Sequence, residues 1–301
     1  MKIQHWIDAF RLRTLPLALS SIAMGAFLAA FYGGMRWDVS LLAALTTIFL
    51  QVLSNLANDY GDAQKGTDNQ HRVGPERAVQ SGKISASQMR ATIIIFIGLS
   101  LISGIVLISH GIKGLDLRIG FLFLVLGVSA IAAAILYTVG KKAYGYSGFG
   151  DLFVFIFFGL LAVIGTFFLN TQILRWDIWL PAASLGFLST GVLNLNNLRD
   201  IENDRNSGKI TIAVRLGVKK AKNYHLLLIS FGLISALIFN LLTMRNYLSL
   251  VWLIPIIPLF GIDLIKIKRI TDLKLLDTFL KKLALKTLLF VLLYGGCLVL
   301  S

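Results

Sequence analysis

Acidic and amide side chains recur at helical spacing in two places along the chain. In NLANDYGDAQKGTDNQHRVGPER, residues 55 to 77, Asn55 and Asp59 stand four apart, as do Asn58 and Asp62, while Asp59 and Asp62 stand three apart. On a continuing helix they share one broad face. In NLNNLRDIENDRNSGK, residues 194 to 209, Asn196, Asp200 and Asp204 follow at intervals of four and form a single stripe, with Asn197, Glu202 and Asn203 offset from it. Both stretches lie where an apolar run ends. Carboxylates at a membrane boundary are costly unless something pairs with them.

Two apposed sets of carboxylates would repel each other, and a divalent cation removes that cost. Mg²⁺ takes carboxylate, amide and water oxygens and usually binds together with substrate phosphates. Scattered His and a single Cys argue against a zinc site. The expected partner is therefore a diphosphate, bridged through metal to Asp62 and to Asp200 or Asp204. Cations to clasp it are at hand in Lys65, Arg72 and Arg77, in Lys141 and Lys142, and in Arg199, Arg205 and Lys209. Neutralising the charge that develops on a diphosphate promotes its departure. With a long hydrocarbon in the apolar part, the ionised fragment is an allylic cation, which aromatic faces such as that of Tyr137 could stabilise.

The elements that must position these residues are membrane helices. Of the 301 residues 56% are hydrophobic and 15% charged, and the mean hydropathy is +0.76. That composition excludes a soluble globular domain and reads as an all-α polytopic membrane protein. Apolar segments run at about 15 to 32, 39 to 57, 92 to 110, 119 to 138, 152 to 170, 179 to 198, 224 to 242, 247 to 265 and 284 to 300. Each approaches the roughly 20 residues that cross a bilayer, so nine spans are expected within one domain covering 1–301. Residues 1 to 13 suit a short interfacial helix, and the first apolar segment reads as a retained span. Residues 266 to 282 read either as an amphipathic surface connection or as helix extended beyond the membrane.

The net charge of +14 belongs to this topology rather than to nucleic-acid binding. Of the 29 Lys and Arg, only Arg36, Lys113, Arg118, Arg175 and Arg245 fall on one side of a nine-span layout. The positive-inside rule then makes the N-terminus and both acidic stretches cytoplasmic, with membrane lipid as the surrounding partner. No nucleic acid and no obligate protein partner are expected.

Asn58 to Asp62, NDYGD, with Asp200 and Asp204 in RDIENDRNSGK, resembles the paired aspartate-rich motifs of the UbiA superfamily of intramembrane aromatic prenyltransferases; the longer strings are NLANDYGDAQKGTDN, HRVGPERAVQSGKI, YTVGKKAYGYSGFGDL and NNLRDIENDRNSGKITIAVRLG. Within it they are most similar to the branch whose acceptor is 1,4-dihydroxy-2-naphthoate, including Gly66 and Asp68 where many members carry an Asp at the first position. The resemblance implies a nine-helix bundle with a lipid-open central cavity. It also implies transfer of a polyprenyl group from an all-trans polyprenyl diphosphate, with loss of diphosphate and CO₂, to form demethylmenaquinone. Asn58 and Asp62 would serve one Mg²⁺; Asn196, Asp200 and Asp204 the second, with Asn197 beside them. Tyr137 and Lys141 match a Tyr-x-x-x-Lys element that places Lys141 on the diphosphate. Arg72, Arg77 and Lys209 are further diphosphate or acceptor-orienting residues. Asp68 would touch metal directly, through water, or order its loop; Asp59 would orient a cation or help deprotonate the acceptor. Other readings are the same fold with another acceptor, such as 4-hydroxybenzoate, homogentisate or a tetrapyrrole, and an ion-coupled transporter using its intramembrane acids.

Overall fold

The computed structural model describes residues 3–68, 73–244 and 247–300, and among them it contains helices and no strands. Helix α1 (Ile3–Phe10) buries Ala9 and passes through a 3₁₀ turn into α2 (Leu15–Phe31). Pro16 sits in the first turn of α2, where a missing N–H breaks no helical bond. The 28-residue α3 (Trp37–Gln64) carries the first acidic stretch in its last turns. A capping box starts α4 (Ala86–Gly111), with the Gln88 N–H on Ser85 Oγ and the Ser85 N–H on Gln88 Oε1. Asp116 caps α5 (Leu117–Leu136) by accepting from the Arg118 N–H at 2.8 Å.

The next rod, Gly150–Thr171, is built from α6 (Gly150–Val154), a π-helical run over Phe155–Leu161 and α7 (Ala162–Thr171). Then come α8 (Trp179–Arg199) and the short α9 (Ile201–Asn206), which divide the second acidic stretch between them. The chain continues through α10 (Ile212–Thr243), α11 (Leu253–Arg269) and α12 (Leu276–Leu300).

Eight of the nine apolar segments expected from the sequence lie in helical rods to within two residues, and 247 to 265 is divided between a 3₁₀ turn at Tyr247–Leu250 and α11. Among the described residues seven stretches are long and apolar enough to cross a membrane: Ile3–Phe31, Trp37–Gln64, Ala86–Gly111, Leu117–Leu136, Gly150–Thr171, Ile212–Thr243 and Leu273–Leu300. The chain is thus a multi-pass membrane protein. The two helices outside that set differ for separate reasons. α11 has 17 residues, short of the roughly 20 a span needs, and α8 ends in the polar residues Asn194, Asn196, Asn197 and Arg199. Around residues 266 to 282, α11 runs on to Arg269, residues 270–272 leave the helix, and a 3₁₀ turn at Leu273–Leu275 leads into α12.

Two apolar clusters form the interior. One gathers Leu53, Leu56, Ile84, Met89 and Ala9, joining α1, α3 and α4. The other joins α2, α7, α8, α10, α11 and α12 through side chains such as Met24, Phe167, Leu188, Phe239, Trp252 and Phe290. By contrast α4 and α5 turn Ile94, Ile95, Ile102, Phe121 and Leu122 outward, as helices that meet lipid do. Where the π-helical run crosses α8, Gly159 faces Gly186 so closely that a Cβ on Gly159 would lie 2.5 Å from the Gly186 Cα. Backbone cannot give way as a flexible side chain can. Gly159→Ala is expected to destabilise the protein by about 1–3 kcal/mol, read as a lower unfolding temperature in detergent. Gly98→Ala, at a helical site with no atom within 4 Å of the new methyl group, is expected not to lower it.

Candidate active site

One cavity of about 400 Å³ connects the two acidic stretches. Along α3 its wall is formed by Ala43, Thr47, Leu50, Ser54, Asn58 and Asp62, the positions that a 3.6-residue period brings to one face. From Ala43 to Asp62 that wall is about 28 Å of helix. Its apolar part includes Phe123, Leu126, Phe157, Phe158, Leu161 and Leu169. The polar residues include Asn58, Asp62, Arg77, Asn196, Lys209 and Tyr137. The π-helical run supplies Phe157, Phe158 and Leu161, a distortion frequent where helices line functional sites.

Tyr146 ties the polar part together. Its hydroxyl donates to Asp62 Oδ1 at 2.8 Å, and with that proton committed Thr67 Oγ1 is the donor across a 2.5 Å contact. Lys65 Nζ stands 3.9 Å from the centre of the Tyr146 ring and Lys209 Nζ 5.5 Å from it, both within cation–π range. The Tyr146 carbonyl accepts from the Ile210 N–H at 3.1 Å, and the Asn203 side chain donates to the Thr67 carbonyl at 2.9 Å. Loop 144–149 is thereby held against both stretches.

Charge compensation follows the same contacts. Arg77 is buried with its guanidinium 3.8 Å from Asp62 and 3.4 Å from Asp68. Lys209 is also buried, 3.8 Å from Asp204 Oδ1. Burial alone would lower the Lys209 pKa, but Asp62 and Asp204 outweigh it and hold the ammonium well above its ordinary value. Burial chiefly pushes the Tyr137 hydroxyl up to about 12, against the opposing pull of Lys209. At neutral pH that hydroxyl keeps its proton.

The chain has relatives of known family. The model of the UbiA prenyltransferase family matches residues 18–291. The chain belongs to that family. It is similar to a 1,4-dihydroxy-2-naphthoate octaprenyltransferase of Haemophilus influenzae, 48% identical over 252 residues, 82% of this chain and 81% of that one. The protein of the same name from Escherichia coli is 44% identical over 245 residues, 81% of this chain and 79% of that one. In fold it matches a UbiA homologue from Archaeoglobus fulgidus solved with GPP and Mg²⁺, with a TM-score of 0.58, 16% identity, and coverage of 97% of this chain and 100% of that one.

Within this UbiA-family site the expected residues separate. Asn58, Asp62, Arg77, Tyr137, Asn196 and Lys209 reach the cavity wall. Asp200 and Asp204 lie buried behind it, Asp200 against Arg199 and Asp204 against Lys209. Their helix breaks at Asp200 (φ −98°, ψ 14°), yet the Asp204 N–H still reaches the Asp200 carbonyl at 2.8 Å, so the four-residue spacing survives. Asp68 is aimed at Arg77 because Gly66, at φ 69°, ends α3 and turns the chain back. Asp59 accepts from the Ala78 and Val79 N–H groups at 3.0 and 3.1 Å, which commits it to shaping the loop. Asn197 is buried away from the cavity wall.

Lys141 departs most from expectation. α5 stops at Leu136 and Gly140 takes φ 94°, so no helix carries Tyr137's face on to Lys141, which is exposed. The lysine buried beside the acids is Lys209. Arg72 lies outside the described residues. Sequence reading missed Tyr146 and Thr138. Thr138 donates to the Ala57 carbonyl at 3.0 Å and stands 3.3 Å from Asn58 Oδ1. Gly61 permits that approach, since a Cβ there would lie 2.6 Å from Thr138 Oγ1.

Among the described residues no three His, Cys, Asp or Glu side chains converge as a metal cage. Asn58, Asp62 and Asn196 instead offer oxygens around one cavity, a donor set that fits a hard divalent cation completed by phosphate and water. Lys209→Met removes a buried charge shared by two carboxylates and is expected to cost about 3–5 kcal/mol, visible as a lower unfolding temperature together with lost prenyl transfer. Lys141→Ala is expected to leave both unchanged.

Proposed function

We propose that this protein transfers a polyprenyl group from an all-trans polyprenyl diphosphate to 1,4-dihydroxy-2-naphthoate, releasing diphosphate and CO₂, in menaquinone biosynthesis. The observation that carries this reading is a single cavity joining carboxylate, amide and cationic groups to an apolar wall that follows α3 from Ala43 to Asp62. Only an amphiphile with an anionic head and a long hydrocarbon uses both parts. The two bacterial relatives with this activity in their names support the acceptor.

The bound ions are proposed to be Mg²⁺, with oxygens from Asn58, Asp62, Asn196, Asp200 and Asp204 available to them. They would neutralise the leaving diphosphate and so lower the cost of breaking the allylic C–O bond. Arg77 and Lys209 attract the same anion. Tyr137, protonated and on the wall, can donate to a diphosphate or acceptor oxygen. The aromatic run Tyr137, Tyr144, Phe153 and Phe157, with neighbouring ring centres 5.4, 4.0 and 6.0 Å apart, excludes water and offers ring faces to the allylic cation.

The acceptor's ring carbon then forms the new C–C bond with electrons supplied by a phenolic oxygen. Loss of the carboxylate as CO₂ returns aromaticity and leaves demethylmenaquinol, the reduced form of demethylmenaquinone. Because the carboxylate leaves as CO₂, no proton has to be removed from that carbon. Asp59 is free to remain structural.

We place the whole chain, 1–301, in one nine-span domain, with the N-terminus and both acidic stretches on the cytoplasmic face of a bacterial inner membrane. The lopsided distribution of the 29 Lys and Arg supports this orientation. Purified protein in nanodiscs, given octaprenyl diphosphate with dihydroxynaphthoate or 4-hydroxybenzoate, is expected to yield a prenylated, decarboxylated product from the first acceptor alone, identified by mass. EDTA is expected to stop turnover and Mg²⁺ to restore it. Asp62→Asn is expected to lower turnover by about 10²-fold or more; full activity in that variant, or on 4-hydroxybenzoate alone, would refute the assignment.

A further inference from the structure

Arg199, which neither acidic stripe includes, makes four hydrogen bonds with one planar group. Its Nε and Nη2 meet Asp200 Oδ1 and Oδ2 at 3.1 and 2.6 Å, Nη2 also meets Asn196 Oδ1 at 3.0 Å, and Nη1 meets Asp277 Oδ1 at 2.5 Å. Arg199 is 3% exposed and Asp200 4%. Asp277 lies in the first turn of α12, 78 residues from Arg199 in sequence, and its other oxygen meets Lys281 at 2.9 Å. Arg13, from the turn before α2, adds positive charge near the same carboxylate.

We propose that Asp277 is a positioning residue that acts through Arg199 on Asn196 and Asp200. This rests on the reading of the site as one for a divalent metal and diphosphate. The guanidinium is a rigid fork, so a partner fixed at Nη1 sets the plane in which Nε and Nη2 grip Asp200 and fixes which way the Asn196 amide faces. Asp277 also cancels the charge of Arg199. With Asp277 in place the pair is neutral and Asp200 retains its negative charge toward a cation; without it, Arg199 competes for that charge. The start of α12 is thereby linked to a motif on α8, and Leu280, one turn farther along α12, reaches the same cavity wall.

The test is a Mn²⁺ titration of the full-length protein in nanodiscs with inorganic diphosphate and no prenyl substrate, following free Mn²⁺ by electron paramagnetic resonance. Asp277→Asn is expected to weaken binding about 10- to 100-fold, as loss of groups that orient metal ligands does. Asp277→Glu is expected to restore it to within about threefold, and Lys281→Gln, which changes only the exposed partner, to leave it unchanged. Arg199→Lys keeps the charge but cannot span Asn196, Asp200 and Asp277 together; it is expected to weaken binding as Asp277→Asn does, and it reads the linkage if the Asn variant does not fold. Unchanged affinity in Asp277→Asn or Arg199→Lys, or equal weakening in Asp277→Glu and Asp277→Asn, overturns the positioning role alone. Absence of binding by the unsubstituted protein overturns the metal reading of the site and this role with it.

Discussion

Buried carboxylates from two distant stretches share one end of the fold, and Asp62, Asp68, Asp200 and Asp204 each have a cation within reach. Arg77 stands between Asp62 and Asp68, Lys209 responds to both Asp62 and Asp204, and Arg199 grips Asp200. A buried charge that loses its partner costs several kcal/mol. The segments bearing these cations are consequently fixed in place by the acids they neutralise. Their positive charges also favour an incoming anion.

Tyr146 gives this electrostatic arrangement its geometry. Its hydroxyl, ring and carbonyl engage Asp62, Lys65 and Ile210 respectively, so the loop after α5 is fastened to both acidic stretches at once. Behind this layer the α3 wall and the π-helical run shape an apolar volume. The rings of Phe123, Phe153, Phe157 and Phe158 line that volume beside the charged groups.

The acids divide according to the direction in which each side chain leaves the backbone. Asp62 and Asn58 point into the cavity, whereas Asp59, one residue from Asn58, turns away by about 100° on the helix and satisfies the Ala78 and Val79 N–H groups. Asp68 is carried to Arg77 by the turn at Gly66. A motif dense in acids therefore contains both ligands and loop supports.

Sequence alone determined the helical segments, the two acidic stretches and the amphiphilic character of the site. Apolar runs near bilayer length, and polar oxygens spaced by three and four, are local properties that survive any packing arrangement. Even the family resemblance rests on such contiguous strings. Tertiary structure decided which cations stand beside the acids. Lys141 was expected from the family resemblance, but the helix ends before it, and Lys209 arrives through the fold after α9. It likewise brought Tyr146 to Asp62 and Asp277 to Arg199, partners 84 and 78 residues apart. No periodicity encodes such pairs, because a charge's partner is set by distance in space and by burial, both of which exist only once the helices have packed.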